Sequence, residues 1–273
     1  MLPFAVRVGE FAMRSSVLVA IVFGAVALSG CGAGEDGASA PTSSEPVARQ
    51  MTAAPATAAP DQDAGCPLPA APSAGPYSGI TVPVREQTPS LTTDVVLPQL
   101  EGGDRAVRDR FNSAMRASLA DPIGGAANGA LHAAQLRCGE TSRVTRIGAH
   151  VVAGVLITDH TWEGGPHPVN QIGTVVIDTG TAQPVMLPTA LRDPGQAWGA
   201  LATTAQSLVP ADGPTLFTHA PGSDDFADWV PAPEGLTVYF SVAHARGDYY
   251  PVQLPWNRIR DLFDPAALAT LSS

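Results

Sequence analysis

Two apolar, β-branched runs on either side of a polar reversal constrain this chain most. Residues 150–178 read HVVAGVLITDHTWEGGPHPVNQIGTVVID. Residues 150–158 and 172–178 are the apolar runs. The centre, 161–170, is polar and rich in Gly and Pro. This is the pattern of two paired strands joined by a turn. Apolar side chains fall on both faces of each run, so the two are expected to be central strands, covered on at least part of both sides.

The flanking chain supplies layers for such a pair. Residues 79–84 and 91–97 read as strands, and Pro83 puts the first at an edge. Residues 104–119 read as a helix, with Val107, Phe111, Ala114, Met115 and Leu119 on one stripe. Asp121-Pro122 and Gly124-Gly125 are expected to end it. Residues 130–138 and 142–147 fit further strands or a helix–strand mixture. Residues 185–187 fit a short return strand. Asp193-Pro194 is an N-cap followed by proline at the first helical position, opening a helix to about residue 208. Its stripe is Trp198, Leu201, Ala202, Ala205 and Leu208. Residues 224–229 fit a turn anchored by Phe226 and Trp229. Residues 235–242 alternate as a half-buried strand. Residues 251–254 return, and 256–271 read as terminal helix. The expected fold class is α+β: an antiparallel or mixed sheet packed with a few helices, as a single globular domain.

The N-terminal third has a different character. Arg7 and Arg14 precede an unbroken apolar run at 17–28. That run is shorter than the roughly 20 residues a membrane span needs. It suits the apolar centre of a secretory leader. Leu28-Ser29-Gly30-Cys31 follows, and resembles the lipobox of bacterial lipoproteins. The resemblance implies diacylglycerol on Cys31, cleavage of leader 1–30, and a lipid-anchored domain on the extracytoplasmic face of the cell membrane. Residues 31–76 are dominated by Ala, Pro, Ser, Thr and Gly. They hold too little apolar surface to offset the entropy of ordering, and read as a disordered stalk. The domain is expected over 77–273. Cys66 and Cys138 are the two remaining cysteines. An exported protein usually pairs such a couple. The pair would close a long loop worth about 4 kcal/mol in the chain-entropy model.

Charge and motifs exclude several function classes. The chain has no lysine and a formal net charge of −10. An acidic body lacks the positive footprint of a nucleic-acid binder and suits a basic partner or simple solubility. No Gly-x-Ser-x-Gly elbow is present. His150, His160 and His167 match no zinc spacing, so neither metal nor cofactor is expected. His160 and His167 have the positions to face each other across the reversal. His167 is the leading single residue, and Trp162, Glu163 and His167 form a candidate recognition loop. Glu163 beside His167 has the residue types of an acid/base pair. Asp224, Asp225, Asp228 and Glu234 make an acidic group suited to a basic protein.

Three places in this domain are similar to the RsiV-like, or DUF3298, family. One is Gly164-Gly165-Pro166-His167-Pro168 followed by Ile177-Asp178-Thr179-Gly180. Another is the strand from Gly235 with Gly247, the run 252–255 and the helix from Trp256. The third is Leu97-Pro98-Gln99-Leu100 with Arg110-Phe111-Asn112. Pro166 stands where that family usually has Ala, and Ala243-His244-Ala245 stands where it often has Pro-Tyr-Ala. The resemblance implies an extracytoplasmic α+β domain without established enzyme chemistry. It includes lysozyme-binding anti-sigma factors, secreted mycobacterial antigens and domains fused to cell-wall deacetylases. The leading expectation is a membrane-anchored lipoprotein that binds a ligand or protein and is not catalytic. The alternatives are a lysozyme-binding inhibitor, or a cell-wall hydrolase or esterase using Glu163 and His167.

Overall fold

The computed structural model describes residues 75–125 and 128–273. The leader, Cys31, most of the stalk and Cys66 lie outside the described residues. Strands β1 (Tyr77–Gln87) and β2 (Leu91–Gly102) form an antiparallel hairpin. Helix α1 (Arg105–Gly125) then crosses to β3 (Gly129–Ala133), which runs parallel to β2. Strands β4 (Arg143–Ile147), β5 (Val151–Thr161) and β6 (Val169–Asp178) complete the larger sheet. β5 is its centre. It pairs with β6 along one side, and on the other with β4 at its start and β3 at its end. Pro83 sits on the edge strand β1, where a missing N–H costs no ladder bond.

The alternation along β5 separates two cores. Val152 and Leu156 face α1, meeting Val107, Phe111 and Met115. Val151, Ala153, Val155 and Ile157 face the opposite layer. A central strand apolar on both faces is therefore covered on both, as its pattern demands. Gly154 lies under α1, and a Cβ there would stand 2.7 Å from Phe111 Cζ. The helix sits this close to the sheet because that position has no side chain.

The second layer holds α3 (Pro194–Leu208) and a smaller antiparallel sheet. That sheet is β7 (Trp229–Ala232), β8 (Gly235–Ser241) and β9 (Tyr249–Pro255). Asp193 caps α3 as expected, accepting from Gln196 N. α4 (Trp256–Ile259), a 3-10 turn at Arg260–Leu262 and α5 (Pro265–Leu271) end the chain. The fold is α+β with mixed and antiparallel sheets and five helices, following the described start at residue 75.

Five expectations are corrected. Of the pair expected to be central, only β5 is: β6 pairs with no strand but β5 among the described residues and is only partly buried over 169–174. The strand expected to be half-buried, β8, is buried on both faces from Gly235 to Phe240. Residues 185–187 do not form a return strand. Pro184 makes a single bridge to Ile177, and α2 (Leu187–Ala190) begins directly after, with Pro188 in its first turn. Helix α1, expected to about Leu119, runs on through Pro122 and ends at the Gly124-Gly125 pair expected to close it. Proline forfeits one intrahelical bond there, in the helix's last turn. Trp229 is not the end of a turn but the first residue of β7, a short edge strand that contains Pro231.

Candidate functional site

The loop between β5 and β6 is held by the loop between β8 and β9. The His167 ring stacks on that of His244, with centroids 3.5 Å apart and planes 10° from parallel. His244 Nδ1 lies 2.9 Å from Asp248 Oδ1. The second oxygen of Asp248 accepts from Asn170 N at 2.8 Å, and Asn170 Nδ2 donates to Gly247 O. Gly247 turns the chain at φ +98°, and Asp248 follows at φ +66°. Two distant loops are thereby clasped by two rings, a carboxylate and an amide.

The clasp decides the reading of the candidate recognition loop. His167 touches His244 rather than His160, and His160 lies opposite Val169 in the ladder. The facing His160/His167 arrangement is thus replaced by a stack across two loops. No hydrogen bond or ion pair joins Glu163 to His167 among the described residues. Trp162 is 38 % exposed, tilted over His160 at 5.5 Å. It rests on Gly165, where a Cβ would strike the indole. Trp229 is buried, and Trp256 is part-buried and donates to Ala232 O. No group of three or more His, Cys, Asp or Glu among the described residues is placed to hold a metal ion.

A second location was visible in sequence only as an acidic group. Asp224, Asp225 and Asp228 line a cavity of about 500 Å³ with His219, Tyr239, Ser241 and Tyr249. Glu234 is not among them. It lies past the other end of β7, within electrostatic reach of Arg146.

The sheet register explains this assembly. Tyr239 N donates to Asp228 O, so the two residues are cross-strand neighbours with side chains on one face. Ser241 lies two residues along β8 on the same face, opposite Tyr249 in β9. The wall opposite is the 3-10 turn Ser223–Phe226. Phe226 pins that turn, packing on Trp198 at 5.4 Å, Phe217 at 5.8 Å and Phe240 at 5.4 Å.

The three carboxylates differ in what they touch. Asp225 accepts from Gly222 N at 2.8 Å and stands 3.4 Å from His219 Nε2. Asp224 accepts from Ser223 Oγ. Asp228 has neither a hydrogen bond nor an ion pair to its carboxylate among the described residues. Burial pushes its pKa up to about 6. The Tyr239 phenol is raised too, first by burial and then by the charge of Glu140. Its hydroxyl is buried without a hydrogen-bond partner among the described residues. Burial also raises Tyr249.

No family model matches this chain. No curated protein matches it either. The fold is similar to two crystal structures of DUF3298 family members. One, from Bacteroides fragilis, shares 12 % identity over 72 % of this chain and 97 % of its own, with a TM-score of 0.48. The other, from Pseudomonas aeruginosa, shares 14 % identity over 71 % of this chain and 97 % of its own, with a TM-score of 0.47.

Proposed function

We propose that this protein is a lipid-anchored extracytoplasmic binding protein, with its DUF3298-like domain taking a ligand in the cavity beside Asp228. The observation that carries this reading is a half-buried carboxylate, without a partner among the described residues, set in a cavity of about 500 Å³. Pockets of this size, with a few convergent polar groups and a perturbed acid, are the usual form of a ligand site. The candidate loop of Trp162, Glu163 and His167 has a different part. His167 serves the clasp, and Glu163 has no partner for acid/base work among the described residues. The anchoring half of the reading rests on Cys31 and its lipobox. A disulfide between Cys66 and Cys138 would tie the end of the stalk to the domain.

Two measurements test the two halves. Cys31→Ala should move the protein from the detergent to the aqueous phase of a phase partition. Retention in the detergent phase, with processing like the parent's, would refute the anchor. Envelope extract should raise the melting temperature of the parent but not of Ser241→Trp, whose added ring fills the cavity from an exposed position. Equal shifts in both would refute the cavity as the binding site.

A further inference from the structure

We propose that the cavity beside Asp228 takes an organic cation, a primary ammonium or guanidinium group seated on the Asp228 carboxylate and within reach of the Tyr239 hydroxyl. The inference rests on the reading of this cavity as the binding site and adds the chemical class of what enters it.

Charge comes first. A carboxylate withdrawn from water needs a counter-charge or a set of donors. The chain provides neither to Asp228 among its described residues: no Arg lines the cavity, and the protein has no lysine. Asp225 already accepts from Gly222 N, and His219 stands beside it. The unmet demand therefore falls on Asp228.

A second, independent group points the same way. Tyr239 lines this cavity and is 2 % exposed, and its hydroxyl has no partner among the described residues. The β7–β8 register puts its side chain on the Asp228 face. A buried hydroxyl without a hydrogen bond costs stability unless something else supplies one. A ligand N–H satisfies both the phenolic oxygen and the carboxylate.

The shape selects among cations. No set of three ligating groups at metal spacing occurs among the described residues, so a bare metal ion has no cage. A volume of about 500 Å³ suits a molecule of several heavy atoms. Tyr249 lines it, and an aromatic face attracts ammonium and guanidinium groups. An anion would meet three carboxylates.

The test is calorimetric titration of the full chain in detergent at low salt. Four probes of similar length are used: cadaverine, agmatine, the neutral diol of equal length, and glutarate. The amine and guanidine probes should bind saturably, and the diol and glutarate should not. Asp228→Asn should weaken the cationic probes by about tenfold. Tyr239→Phe should weaken them by about threefold while leaving the fold intact. Absence of saturable binding by both cationic probes, or equal binding by Asp228→Asn, overturns the inference. Saturable binding of the diol or glutarate that Ser241→Trp abolishes also overturns the cation class, and leaves the cavity standing as a site. Loss of the envelope-extract difference between parent and Ser241→Trp would instead remove the site itself.

Discussion

Asp228 and Asp248 belong to one small sheet and have opposite circumstances. Asp248, just before β9, is 9 % exposed, and both its oxygens are engaged, by Asn170 N and by His244. Asp228, just before β7, has no partner for its carboxylate among the described residues. The first is a structural carboxylate: its hydrogen bonds hold two loops together. The second costs the fold stability and gains nothing visible from within. Folding alone accounts for the first, whereas the second has the profile of a group kept for something outside the chain.

The comparison predicts opposite signs for two substitutions. Asp248→Ala leaves Asn170 N without its acceptor and releases the His244 ring. It should lower stability by about 3 kcal/mol, measured by chemical denaturation. A loss under a few tenths would mean that the clasp is incidental.

Asp228→Asn should do the reverse, raising stability at neutral pH by about 2 kcal/mol. The sign follows from the raised pKa. Below the ordinary carboxylate value of 3.8, Asp228 is protonated in both folded and unfolded chains and costs nothing. Between 3.8 and about 6, the unfolded chain releases a proton that the folded chain keeps, so stability falls as pH rises. Above about 6 the full cost is present. Melting curves from pH 4 to pH 7.5 should therefore show this slope in the parent and not in Asp228→Asn. Identical slopes would mean that Asp228 is better solvated than its burial implies.

Smaller effects separate the clasp from the loop it holds. His167→Ala removes the stacked pair and should cost about 1 kcal/mol, less than Asp248→Ala because the Asn170 bonds survive. Glu163→Ala should change stability by less than about 0.5 kcal/mol, since its side chain is exposed. It should also leave the cavity titrations unchanged. A large loss of binding there would return the β5–β6 loop to the centre of the function.

Legibility in sequence followed the range of the interactions. The β5–β6 pair, the α1 stripe and the Asp193 cap were readable because each is set within one short continuous stretch of chain. The short elements went differently. Residues 185–187 looked like a strand by their apolar character, yet Pro188 fits the first turn of α2. The tie between His167 and His244 spans 77 positions, and nothing local announces it. The cavity was half legible. Asp224, Asp225 and Asp228 stood out as an acidic group, but Glu234 looked equivalent to them in sequence. Only the β7 register shows that Asp228 meets Tyr239 while Glu234 lies beyond the other end of the strand.

The stacking of Phe226 has an optical consequence. Phe226 ends the turn that carries Asp224 and Asp225, and its ring lies 5.4 Å from the indole of Trp198 on α3. Any ligand that shifts this turn changes the surroundings of that indole. Trp198 is partly exposed, so its emission is sensitive to small changes in the water around it. The protein thus contains its own fluorophore next to the proposed site, and occupancy can be followed by ultraviolet emission without attaching a dye.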